Sequence, residues 1–285
     1  MNPEVAAILT LAGYALIAAG LIVRSIRRCE DGPLVWFLYA TQRLYSGLWF
    51  HWRATNHPCP FPSTGGALII ANHRSPVDPM MIWSNHHWRR DRRNVRVIGF
   101  LTAAEYCRVR GLVWLVNAMQ SIPVQRNGND VGPAREAIRR LKDGRLVGLF
   151  PEGGLCWGVD LREPNTGVAF IALKARVPVI PVFIRGVLQD QASMVTPFLH
   201  RSRVIVTYGQ PVDLTRFYER KVTPELLIEV TNLLMSHLAA LGNVGFTPAR
   251  LPVQDIADST ADSTGGQVSM ISVPVAGGGS TAAPQ

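Results

Sequence analysis

Lysine is scarce in this chain of 285 residues: three Lys stand beside 26 Arg, and with 20 acidic residues the net charge is +9. A positive balance favours contact with anionic surfaces such as lipid headgroups or nucleic acid. So strong an arginine bias also follows from genomic base composition, and charge alone therefore names no partner. Cysteine is also sparse. Cys29, Cys59, Cys107 and Cys156 show neither metal-type spacing nor short-range pairing, which argues against a zinc site or a disulfide framework and for reduced thiols in a cytoplasmic domain. The chain lacks a Gly-x-Ser-x-Gly elbow, a His-Glu-x-x-His pair and a Walker sequence, which weighs against hydrolase, zinc-protease and nucleotide-hydrolysing readings.

What is present begins with an uncharged run over residues 5–23. As a helix it would measure about 28 Å, close to the hydrocarbon thickness of a bilayer. Glu4 precedes the run, and Arg24, Arg27 and Arg28 follow it. A cleaved signal peptide carries its positive charge before the apolar stretch, so this one reads as a retained anchor. The positive-inside rule puts those arginines, and the domain behind them, on the cytoplasmic side of the inner membrane. A helix lying in one leaflet is the competing reading. Next comes a stretch rich in aromatics (Trp36, Phe37, Tyr39, Tyr45, Trp49, Phe50, Trp52). Such rings suit the headgroup level or a face packed on the protein's own core.

Three prolines within residues 54–64 (Pro58, Pro60 and Pro62) mark a linker. The expected organisation is a membrane anchor (1–28), an interfacial aromatic helix and linker (29–62), a catalytic domain (63–245) and a disordered tail (246–285). From residue 251 onward Gly, Ser, Thr, Ala and Pro dominate, with too little apolar surface to offset chain entropy.

Between 63 and 245, strand-like and helix-like segments alternate. Strands are expected at 67–71, 95–101, 119–124, 145–150, 179–184 and 203–208. Helices are expected from Met80 to about 88, at 103–118 with a break at Gly111, at 131–142 and 166–176, from about Leu214, and at 224–241. That alternation predicts an α/β fold, a mostly parallel sheet flanked by helices. The basic loop Arg89-Arg90-Asp91-Arg92-Arg93-Asn94-Val95-Arg96 reads as a membrane-surface contact or a solvated loop. No ribonucleoprotein pattern accompanies it, and no nucleic-acid partner is expected.

The segment with chemistry in it is Asn72-His73-Arg74-Ser75-Pro76-Val77-Asp78, directly after the apolar run 67–71. In a regular helix His73 and Asp78 would point roughly 140° apart. The helix therefore starts between them, with Ser75 suited to the N-cap and Pro76 to the first turn. His73 can then fold back onto Asp78 as a base with an orienting carboxylate. The plainer alternative is a Ser75–Asp78 capping box beside an ordinary turn histidine.

This motif resembles the first block of the glycerolipid acyltransferase family, which includes the lysophosphatidate acyltransferases. Three further blocks occur in the family's order: Ile122-Pro123-Val124-Gln125-Arg126, Phe150-Pro151-Glu152-Gly153-Gly154 and Val177-Pro178-Val179-Ile180-Pro181-Val182. The resemblance spans roughly residues 65 to 210 and implies a membrane-bound O-acyltransferase in phospholipid biosynthesis. Such an enzyme moves a fatty acyl group from acyl-CoA or acyl carrier protein to a hydroxyl of a lysophospholipid, first of all 1-acylglycerol-3-phosphate. It implies no metal or resident cofactor, and membrane lipids and the acyl donor as partners.

His73 and Asp78 are then the catalytic pair. Asn72, Arg126, Glu152, Gly153 and Gly154 are the substrate-binding candidates. Arg126 suits a phosphate on the acceptor, or an ion pair with a neighbour such as Asp130. Glu152 suits acceptor hydroxyls, and Ser75 a cap rather than a nucleophile. Pro178 and Pro181 bracket a strand that shapes the cleft or is simply buried. Where the family frequently continues Phe-Pro-Glu-Gly with Thr-Arg, this chain has Gly154-Leu155. One phosphate ligand is thus missing, with Arg162 and Lys174 as candidate substitutes. The rival from another class is a lipid-binding or scaffolding protein that keeps the fold without turnover.

Overall fold

The computed structural model describes residues 3–27, 29–55, 60–84, 95–125 and 131–251. The chain opens with α1 (Pro3–Arg27), a helix with no buried residue and with the length and apolar composition to cross a membrane. Helix α2 (Pro33–Trp49) follows, with Pro33 in its first turn. Of the two roles open to the aromatic stretch, packing on the protein's own core is the one seen. Val35 and Tyr39 are buried, and the Tyr39 ring meets Trp83 edge-on at 5.2 Å, while Phe37, Leu44 and Leu48 face outward.

Strand β1 (Arg53–Thr55) comes from a segment expected to be interfacial helix and linker. It pairs in parallel with a strand near the end of the domain, so the sheet begins before residue 63. Then come β2 (Ala67–Ala71), α3 (Asp78–Trp83), β3 (Ile98–Ala103), α4 (Ala104–Cys107), α5 (Val113–Ala118) and β4 (Ile122–Val124). The helical region 103–118 is two short helices because Gly111, at φ +91°, takes a left-handed turn between them. After α6 (Gly132–Lys142) and β5 (Leu146–Leu149) the chain crosses through α7 (Gly167–Ala175) to β6 (Val179–Arg185). The last elements are α8 (Thr196–Leu199), β7 (Ile205–Tyr208) and α9 (Pro224–Gly242).

The helix expected from Leu214 is only a 3-10 turn, Thr215–Phe217. Asp213 accepts hydrogen bonds from the Thr215 amide and hydroxyl, and Thr223 already caps α9 through the Leu226 amide. Too few residues remain between them for a longer helix. The helix expected from Met80 ends at Trp83, and residues 89–94 of the basic loop, Cys59, Arg126 and residues 252–285 lie outside the described residues. Arg96, at the end of that loop, is buried and donates to the carbonyls of Pro62 and Gly144, so it makes neither a membrane-surface contact nor a solvated end.

The sheet order is β1-β7-β6-β2-β5-β3-β4, with all neighbours parallel except β6 and β7. Strand β2 lies mid-sheet, and all five of its residues are buried, as expected of a parallel strand covered on both faces. Ala67, Ile69 and Ala71 pack with α2 and α3, whereas Leu68 and Ile70 pack with α6, α7 and α9. This is a three-layer α/β sandwich.

The fold does not end at residue 245. Phe246 bridges Leu161, and Asn232 exchanges two hydrogen bonds with the backbone of Ala249, which is buried. The first residues assigned to the tail are thus packed against the loop after β5.

Candidate active site

Because β2, β3, β5 and β6 are parallel, their carboxyl ends share one edge, where open α/β sheets gather ligands. Residues 72–78 leave β2 at that edge. The Asn72 side chain is fully buried. Its carboxamide donates to Ile184 O at 3.0 Å and accepts from Ile184 N at 2.8 Å. Both ends of the group join β2 to β6, so Asn72, expected at the substrate, holds the turn in place.

His73 and Asp78 are brought together. His73 Nδ1 lies 3.0 Å from Asp78 Oδ2, and the same oxygen accepts from the Arg74 and Ser75 amides at 2.7 and 2.8 Å. A buried carboxylate only accepts, so the proton sits on Nδ1 and Nε2 carries the lone pair. The His73 side chain is 17% exposed and that of Asp78 wholly buried. Nε2 has no partner among the described residues.

Ser75 departs from expectation. Helix α3 starts at Asp78 after Val77, with no side-chain cap, and the buried Ser75 hydroxyl finds no partner among the described residues. Asp78 reaches back to the Ser75 amide, so half of the capping box is present and the hydroxyl half is not. Full burial also removes Ser75 from contact with a substrate and hence from a nucleophilic role.

Glu152 is the second anchor. Its side chain is fully buried, with Oε1 accepting from the His73 amide at 3.1 Å and Oε2 from Arg74 Nη1 at 3.0 Å and the Arg162 amide at 2.9 Å. Arg74 spends its other nitrogen on the carbonyls of Val159 and Asp160. The Cys156 amide donates to His73 O at 2.9 Å. The backbone of His73 is thus clamped on both sides by the loop after β5. Glu152 had been expected to hold acceptor hydroxyls; its carboxylate is committed instead to ordering this loop.

Gly153, at φ +74°, is exposed, and beside Gly153 and Gly154 there is open space where a side chain would stand. Burial, reinforced by the negative charge of Glu152, pushes the Cys156 thiol up to about 12. It stays protonated and is no nucleophile.

The two candidate substitute cations separate cleanly. Arg162 is exposed, donates through Nη2 to Glu152 O at 3.1 Å, and pairs with no carboxylate among the described residues. Lys174 lies near the far end of α7, in a groove of about 430 Å³ with Arg176, Tyr218, Arg220 and Lys221. Since α7 runs back from the carboxyl edge to the start of β6, Lys174 belongs to the opposite end of the sheet. Arg126 lies outside the described residues. Among the described residues no group of three His, Cys, Asp or Glu side chains is placed to hold a metal.

One ring escaped sequence reasoning. Phe150 stacks on the His73 imidazole, with centroids 3.9 Å apart and planes 10° from parallel. Its position between β5 and Glu152 was the available signal.

The comparisons with known proteins agree with this geometry. Residues 55–185 match the family model described as Acyltransferase. Over 187 residues the chain is 26% identical to 1-acyl-sn-glycerol-3-phosphate acyltransferase of Escherichia coli (strain K12), an alignment covering 65% of this chain and 71% of that protein. In fold it resembles the crystal structure of the 1-acyl-sn-glycerophosphate (LPA) acyltransferase PlsC from Thermotoga maritima, with a TM-score of 0.55 and 19% identity over 85% of this chain and 97% of that one. Motif order and the clamped histidine–aspartate pair agree with these matches: over residues 55–185 the chain is similar to the acyltransferase family.

Proposed function

We propose that this acyltransferase is membrane-bound and transfers a fatty acyl group from acyl-CoA or acyl carrier protein to the free hydroxyl of a lysophospholipid, 1-acylglycerol-3-phosphate first among them. The observation that carries this reading is the 3.0 Å contact between His73 Nδ1 and a wholly buried Asp78, with Nε2 left free. The acceptor hydroxyl gives its proton to Nε2 as its oxygen attacks the thioester carbonyl. Asp78 holds the imidazolium that forms. Collapse of the tetrahedral adduct breaks the C–S bond, sulfur takes the electron pair, and His73 returns the proton to give a thiol and an ester. No acyl-enzyme is needed, in keeping with a buried Ser75 and a protonated Cys156.

Two features support an anionic lipid acceptor. Arg162, on the loop that clamps His73, pairs with no carboxylate among the described residues, and the open Gly153-Gly154 turn lets a ligand approach the backbone. Together with Arg126 it is assigned here to the acceptor phosphate. Helix α1, apolar along its length and ending in Arg24 and Arg27, supports anchorage in the inner membrane with the domain on the cytoplasmic side. The donor requires no resident cofactor.

The test is thiol release from long-chain acyl-CoA, and separately from acyl carrier protein, by the full chain in detergent or vesicles across a panel of lysophospholipids. Acceptor-dependent release that falls by about 10²–10⁴-fold in His73→Ala supports the reading. Silence with both donors and every acceptor overturns it in favour of lipid binding without turnover.

A further inference from the structure

Three aromatic rings form a column that ends at the reacting imidazole. Phe100, on β3, stacks on Phe150 at 5.4 Å and 14°, and Phe150 stacks on His73 at 3.9 Å and 10°. The base of the column depends on a glycine. A Cβ at Gly148 would stand 2.4 Å from the Phe100 ring, so only the missing side chain lets that ring lie where it does. The column spans β3, β5 and the catalytic turn, and packing alone would not require its two inner rings to lie so nearly parallel to the imidazole.

We propose that Phe150 is a positioning residue whose π face also stabilises the imidazolium formed on His73 as the acceptor hydroxyl loses its proton. The proposal rests on the acyl-transfer reading above. The face of a benzene ring carries negative quadrupole density and attracts a cation lying within about 6 Å of its centroid. At 3.9 Å the imidazole is well inside that range, and it faces the ring rather than its edge. Before proton transfer His73 is neutral and gains little from the ring; afterwards it is cationic and gains more. An interaction that grows toward the transition state raises kcat rather than tightening substrate binding. Asp78 acts on the Nδ1 side of the same imidazolium and Phe150 on its face, so the two contributions are geometrically separate.

Fluorination tests this without altering shape. Mono-, di- and pentafluorophenylalanine introduced at position 150 of the full chain withdraw π density in steps while nearly preserving the ring's size. The charged groups around His73 (Asp78, the Arg74–Glu152 pair and Arg162) stay the same throughout the series. The expected result is a stepwise fall in kcat, reaching about three- to tenfold for the pentafluoro ring, with KM and Tm unchanged. The same series at position 100, which does not touch His73, is expected to be flat.

A second readout needs no turnover. Histidine NMR, assigned by difference against His73→Gln, is expected to show protonation of His73 moving to lower pH with each step. If both kcat and the titration ignore fluorination, the ring acts by shape alone and the proposal is overturned. If the titration moves while no acceptor supports turnover, the role of the ring stands, and the acyl-transfer reading is what has failed.

Discussion

The two ends of the parallel sheet solve opposite problems. At the carboxyl edge, polar groups are buried and committed: Asp78 takes three hydrogen bonds, Glu152 takes three, and Arg74 is 4% exposed. At the amino edge the charges sit in water. Arg176 pairs with Glu219 and Arg220 with Glu229 at mostly exposed positions, and the groove beside them adds Lys174 and Lys221. The same residue types therefore do different work. Buried charge with one partner removed is costly, whereas an exposed ion pair contributes little. Function concentrates where the chain has taken on that liability.

The sharpest way to break the contrast is Glu152→Gln. It leaves the Arg74 guanidinium buried without its counter-ion and loosens the clamp on the His73 amide. A loss of about 3–5 kcal/mol in stability is expected, read by denaturant unfolding, together with loss of turnover. An equally small global effect from Glu152→Gln and from the amino-edge substitution Glu229→Gln would erase the distinction.

A smaller effect separates the two candidate substitute cations, Arg162 and Lys174. Arg162→Gln is expected to raise KM for a phosphate-monoester acceptor about tenfold or more, in the range of one charge-assisted hydrogen bond. Arg162→Lys should recover part of the loss. Lys174→Gln, at the other end of the sheet, is expected to leave the kinetics unchanged. Steady-state titration of the acceptor decides, and a matching rise in KM for Lys174→Gln would contradict the placement.

The smallest effect is at α6. Hydrogen bonds from Arg139 and Arg140 lower the Glu136 carboxyl from its ordinary 4.5 to about 2. A lowered folded-state value means stability that is fully present above about pH 4.5 and is lost as the pH falls toward 2. Because the Glu136 side chain is a third exposed, solvent screening leaves only about 0.5 kcal/mol at neutral pH. Thermal melts of Glu136→Gln and the parent should therefore differ slightly at pH 7 and converge near pH 2.

Much of this was legible in local sequence. Alternating apolar strands and amphipathic helices announced a parallel sheet, since strands covered on both faces need continuous apolar runs such as Ala67-Leu68-Ile69-Ile70-Ala71. The pairing of His73 with Asp78 was legible as well, because five positions are too far round a helix for contact and a turn is the remaining solution. β1 was not legible: three residues beside a proline-rich segment carry no periodicity, and their pairing with β7 joins positions about 150 residues apart. The stacking of Phe100 on Phe150 was hidden for the same reason, since it joins β3 to the loop after β5.

What the sequence determined by itself is therefore the chemistry within reach of one turn: a histidine, its carboxylate, and the strand that presents them. Only the tertiary structure decided how the other candidate polar groups are spent. Asn72 went to a neighbouring strand, Glu152 to the clamp, Arg162 to the active edge and Lys174 to the opposite one. The reason is physical. Most buried polar groups find a partner, and which partner is within reach depends on strand order and register, set by packing across the whole sheet rather than by neighbours along the chain.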